Sequence, residues 1–184
     1  MQSKRWPGRV GPAREAAAGS QTTSSRTSPA TRAAPRPAIR RTSARARIRT
    51  SSDRSIARTR AAEILADRGY RIQQNPTREE VAAARAATGD TGRERSKPDY
   101  LLEGRVFDCY SPGADKPVRG VWYEVGKKIK KNQTQRVVVN LEDWEGDVAA
   151  LRKQFDDWPI DRLREVKAIT PDGRIIQLVP RQDD

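Results

Sequence analysis

The chain changes character near residue 50, and that break constrains its folding more than any motif does. Residues 1–50 hold 12 Lys or Arg and one acid, Glu15, a net charge of +11. Residues 51–184 hold 25 basic and 23 acidic residues and are nearly neutral. The first segment is Arg, Ala, Ser, Thr, Pro and Gly, with Trp6, Val10, Ile39 and Ile48 as its larger apolar side chains. Such a segment offers too little apolar surface to offset roughly 1–2 kcal/mol of backbone entropy per ordered residue. The expectation is a disordered Arg-rich tail over residues 1–52 and one domain over residues 53–181. The tail is an arm that pairs Arg with phosphates and releases counterions, a solvated linker, or coding sequence upstream of the real domain.

Composition removes many chemistries. The 184 residues contain no His, which excludes imidazole-based ribonucleases, Ser-His-Asp and Cys-His hydrolases and His-ligated zinc. One cysteine, Cys109, excludes an intrachain disulfide and any Cys metal cluster. No apolar run approaches membrane-spanning length, and Met1 is followed by charge and Pro where a signal peptide has its apolar core. Neither a signal peptide nor a transmembrane segment is expected.

The domain alternates between helical and strand periodicity. A Ser-Asp cap precedes Ile56, Ala57, Ala61, Ile64 and Leu65, an apolar face at helical spacing that Gly69 ends. Tyr70–Gln74 reads as a short strand stopped by Asn75-Pro76, and Thr77 to Glu80 as a capping box opening a helix to about Thr88. After a polar loop, two β-prone runs flank Glu103-Gly104 as a hairpin. Val118–Lys131 reads as a helix with Val121, Trp122, Val125 and Ile129 on one stripe. Gln135–Leu141 is a continuous apolar strand of the kind buried on both faces. A helix marked by Val148, Leu151 and Phe155 and a second hairpin around Pro171-Asp172-Gly173 complete a mixed α/β domain with a central sheet.

The first hairpin carries the chemistry. A two-residue turn at Glu103-Gly104 sets Leu102 opposite Arg105, Leu101 opposite Val106, Tyr100 opposite Phe107 and Asp99 opposite Asp108. Like charges opposed across a sheet are destabilising, and the apolar neighbours make both faces partly buried. Two carboxylates so placed call for a proton or a cation between them, and Mg²⁺ or Mn²⁺ suits such oxygen ligands. Glu63, seven residues after Ile56, borders the apolar stripe of the first helix and is a candidate third acid. Lys127 and Lys128, within the basic run ending at Lys131, are candidates for stabilising charge at a phosphate. Lys128 borders the buried stripe and Lys127 points further outward.

The stretch KPDYLLEGRVFDCYSP (residues 97–112), with EVGKKIKKNQTQRVVVNL (124–141) and the weaker AAEILADRGYRIQQNP (61–76), resembles the C-terminal tRNA nuclease domain of the bacterial CdiA toxins of contact-dependent growth inhibition. The resemblance covers about residues 55–180. It implies a PD-(D/E)xK nuclease-like fold, a central mixed sheet flanked by helices, and tRNA cleavage with a divalent metal. It also implies a cognate immunity protein and a cytoplasmic site of action, with delivery into a target cell as one route. Carried over by position, Asp99 and Asp108 are the metal-binding acids, and Lys127 or Lys128 is the site lysine. Tyr110 stands where the (D/E)xK lysine would be. Where family members often carry Glu-Asn-Glu before the small residues of the first helix, this chain has Arg58-Thr59-Arg60. The alternatives are a DNA endonuclease with the same site and a nucleic-acid-binding protein whose active site has decayed. The chain itself reads as a stand-alone relative or as a detached toxin end.

Overall fold

The computed structural model describes residues 50–182, so the expected tail lies outside the described residues except for its last three positions. Of those three, Thr50 caps the first helix and Ser51 and Ser52 begin it. Thr50 accepts the Asp53 N–H at 3.1 Å and Asp53 accepts the Thr50 N–H at 2.8 Å, a reciprocal capping box that starts α1 (Ser51–Asp67) ahead of the expected Asp53 cap. The chain continues through β1 (Ile72–Gln74), α2 (Arg78–Thr88), β2 (Tyr100–Leu102) and β3 (Arg105–Tyr110). Then come α3 (Val118–Lys130), β4 (Arg136–Asn140), α4 (Val148–Asp157), β5 (Glu165–Ile169) and β6 (Ile175–Val179). The Thr77–Glu80 capping box opens α2 as expected, and Gly89 closes it at φ 67°, where a Cβ would be strained.

The six strands form one mixed sheet in the order β1-β2-β3-β4-β5-β6. The outer pairings are antiparallel, while β3, β4 and β5 run parallel. The two parallel pairings need long connections, supplied by α3 and α4. Every residue of β4 is buried, as its unbroken apolar run requires. Val137 and Val139 pack toward Val121, Val125 and Ile129 of α3 and Leu151 and Phe155 of α4. Val138 faces the other way, with Tyr100, Leu102 and Phe107, against Ala61, Ala62 and Leu65 of α1. Full burial of each such Val, Leu or Phe stabilises by roughly 1.5–3 kcal/mol. The mixed sheet with helices on both faces is the expected architecture.

One expectation about α1 fails. Its buried residues are Ala61, Ala62 and Leu65, while Ile56 is 67% exposed. The N-terminal half of the helix therefore lies beyond the apolar packing, and it presents a polar side to the site described next.

Candidate active site

The strand register is the one the turn arithmetic gives: Leu102 opposite Arg105, Leu101 opposite Val106 and Tyr100 opposite Phe107. Glu103 and Gly104 both have positive φ, 49° and 72°, the conformation of a type I′ turn whose twist matches the flanking strands. One step beyond the last pair, the carboxyl groups of Asp99 and Asp108 meet, close enough for each to bear on the other's titration. Both residues are buried.

Each carboxyl group is also held from outside the pair. Asp99 Oδ1 accepts from Arg58 Nη1, and its Oδ2 accepts the Cys109 backbone N–H at 2.8 Å. Asp108 Oδ2 accepts from Lys128 Nζ at 2.9 Å. Burial, reinforced by the hydrogen bond with Asp99, pushes the Asp108 carboxyl up to about 7, with Lys128 pulling against the shift. Burial acts on Asp99 too. There the hydrogen bonds from Asp108, the Cys109 N–H and Arg58 outweigh it and hold Asp99 below the usual carboxylate range. Below about pH 7 the pair thus shares one proton, carried mainly by Asp108.

Asp99 and Asp108 lie in a cleft of about 860 Å³. Ser51, Arg54, Ser55 and Arg58 of α1 form one wall, and Lys116, Lys127 and Lys128 line it from the α3 side. Two bonds fix α1 to the sheet beside the cleft. Tyr100 Oη donates to the Arg58 carbonyl at 2.5 Å, and Asn140 Nδ2 donates to the Ala57 carbonyl at 3.2 Å. Burial drives the Tyr100 phenol far above its ordinary pKa, so it remains a donor. Cys109 shares this environment; burial pushes its thiol up to about 12, so it is not a thiolate nucleophile.

The structure brings Asp99, Asp108 and Lys128 together and separates the two candidate lysines. Lys127 lines the cleft, but its Nζ pairs with Glu124 at 2.9 Å and sits 5.7 Å from the Tyr123 ring centroid. Glu63 is not brought in. It is exposed and does not line the cleft. Glu63 and Ile56, seven residues apart, share one side of α1 as the spacing requires, but that side faces solvent. Arg58 is the α1 residue at the site, and the sequence reading passed over it. It lies three, four and seven residues before Ala61, Ala62 and Leu65, so the correct apolar stripe leads back to it.

The donor set fits one hard divalent ion. Two buried carboxylates stand in direct contact beside an open cleft, and oxygen ligands with room for water are what Mg²⁺ and Mn²⁺ take. Among the described residues no third acid or Cys completes a cluster with them.

Residues 95–175 match the family described as the contact-dependent growth inhibition CdiA C-terminal domain. A solved chain from the CdiA-CT/CdiI toxin and immunity complex of Burkholderia pseudomallei is 31% identical with a TM-score of 0.59, covering 72% of this chain and 89% of that one. This chain belongs to the CdiA C-terminal domain family. The tRNA nuclease CdiA-2 of Burkholderia pseudomallei (strain 1026b) is 32% identical over 126 residues, which is 68% of this chain and 4% of that protein. The family match of this CdiA C-terminal domain holds Asp99, Asp108, Lys127 and Lys128, whereas Arg58 and Glu63 lie upstream of it. Among the described residues no helix is long and apolar enough to cross a membrane.

Proposed function

We propose that this CdiA C-terminal domain is a divalent-metal-dependent nuclease that cuts tRNA phosphodiester bonds. The observation that carries the reading is the buried Asp99–Asp108 contact at a cleft lined by Arg54, Arg58, Lys97, Lys116, Lys127 and Lys128. It stands in a chain similar to a protein named a tRNA nuclease. Asp99 and Asp108 would hold Mg²⁺ or Mn²⁺, which when bound polarises a phosphate oxygen and makes a coordinated water more acidic. Lys128 keeps Asp108 oriented through its 2.9 Å contact and offers its charge to the phosphate. The remaining cations grip the RNA backbone, so that choice of substrate rests on shape more than on base reading. The similarity to a chain solved in a toxin and immunity complex supports an immunity protein as partner. A tRNA substrate would be met in the cytoplasm, and the similarity to a toxin supports action inside a target cell.

Incubating the full chain with tRNA and with duplex DNA, with Mg²⁺ and with chelator, tests the reading. The expected result is tRNA cleavage that chelator stops. Asp108→Asn should slow it by about 10²-fold or more, the scale of losing one electrostatic contact to the reacting group. Preferential DNA cleavage would make the protein a DNA endonuclease. Salt-sensitive RNA binding with no cleavage at any metal concentration would make it a binding protein.

A further inference from the structure

We infer that Arg58 and a divalent metal are alternative partners of Asp99, and that the displaced guanidinium becomes a ligand for the substrate phosphate, so that metal and RNA bind with positive cooperativity. The inference rests on the metal-nuclease reading above and adds a coupling which that reading does not contain.

The two oxygens of Asp99 are held differently. Its Oδ2 is tied to the backbone N–H of Cys109 within β3, a donor that cannot withdraw without breaking the strand. Oδ1, the atom that Arg58 Nη1 holds, is therefore the oxygen that a metal can take without sharing it with the strand. A guanidinium and a divalent ion on one oxygen repel strongly at that range. Arg58 has to leave.

The mount of Arg58 decides where it goes. Tyr100 and Asn140 hold the carbonyls of Arg58 and Ala57, so the helix backbone stays in place and the side chain alone moves. That side chain is 34% exposed and lines the cleft wall, so once released it remains in the space a phosphate would fill. A guanidinium fork binds phosphate in bidentate fashion. Charge balance points the same way. With both carboxyl groups ionised, as a bound metal requires, Arg58 and Lys128 already neutralise Asp99 and Asp108. A divalent ion brings surplus positive charge into a buried site, and a phosphate diester removes part of it. Each ligand therefore favours the other, by the same factor in both directions.

Free Mn²⁺ can be counted from its electron paramagnetic resonance signal in titrations of the full chain. The titrations would be run with and without a cleavage-resistant 2′-O-methyl phosphorothioate RNA hairpin. R58Q should bind Mn²⁺ alone about tenfold more tightly than the parent chain. RNA should tighten Mn²⁺ binding to the parent chain by about tenfold and to R58Q by far less, while R58K, which keeps the charge, should stay close to the parent. Equal Mn²⁺ affinities for the parent and R58Q, or the same RNA effect on both, would overturn the inference. The parent chain decides it even if R58Q folds poorly, because a parent that shows no RNA effect overturns it as well. If neither the parent nor a folded R58Q binds Mn²⁺ more tightly than D99N does, the metal reading itself fails, an outcome distinct from lost coupling.

Discussion

Arg136 and Asp108 are both ionisable groups buried in the sheet, and their neighbours treat them in opposite ways. Arg136 is fully buried and surrounded by complementary groups. Its Nε meets both Asp90 oxygens at 3.0 and 3.1 Å, one Nη meets Glu165 at 3.0 Å, and the other meets the Gln182 carbonyl at 3.2 Å. The second oxygen of Glu165 is taken by Gln177 and Lys167, both at 2.9 Å. Burial works against the charge on Arg136, yet the bonds to Asp90 and Glu165 raise its pKa regardless. This cluster joins the loop after α2 to β4, β5 and the C-terminal segment. At Asp108 a like group is pressed against it instead, and the compensating cations stand on the side open to the cleft. A buried charge enclosed by opposite charge holds the fold together. A buried carboxyl group facing its own kind costs stability and marks a candidate functional site.

Three substitutions test the contrast, and the first should have the largest effect. Arg136→Met strands Asp90 and Glu165 in the interior and should cost about 3–5 kcal/mol in urea unfolding, much of a domain's stability. A loss below about 1 kcal/mol would show that the cluster is not structural. Asp108→Asn should do the reverse in metal-free buffer at pH 8, raising Tm by about 4 °C or more. The sign follows from the raised pKa. The folded state binds a proton on Asp108 that the unfolded chain releases near its ordinary value of 3.8. That contribution to stability is complete below about pH 4 and is lost as pH rises through about 7. The asparagine cannot titrate, so its advantage should open between those limits and be absent at pH 4. Asp99, with its pKa lowered, works in the opposite sense and loses its contribution as pH falls. A Tm difference that does not change with pH would refute the shared-proton account. Smallest of the three, Lys128→Met should cost under about 1 kcal/mol at pH 6, because Asp108 already holds a proton there for most of the time. Carbon-detected NMR titration should then show the Asp108 carboxyl titrating higher than in the parent chain.

The sequence disclosed most where a rule acts over a few residues. Two turn residues fixed the register of β2 and β3 and so the meeting of Asp99 and Asp108. Thr77 and Glu80 announced α2, and the unbroken apolar run of β4 announced a strand covered on both faces. It misled where an apolar residue was assumed to face the core. Counting Ile56 into the stripe of α1 rotated the helix, promoted Glu63 and concealed Arg58. A stripe begun at Ala61 would have corrected it, but alanines carry little hydrophobic signal. The Arg136 cluster had no local signature at all. Asp90 and Arg136 lie 46 residues apart, and only the completed sheet makes them neighbours.

The strands lie side by side in the order in which the chain supplies them. None has to be inserted between two that are already paired, so the sheet can lengthen from one edge to the other like a closing zip. The cleft is not available so early. Its α1 wall is the first helix of the fold, yet that helix is pinned by Asn140 at the end of β4, 83 residues after the carbonyl it holds. A partly assembled chain therefore has both aspartates without the pocket around them, and any chemistry that needs the whole pocket must wait until the first helix and the fourth strand have met.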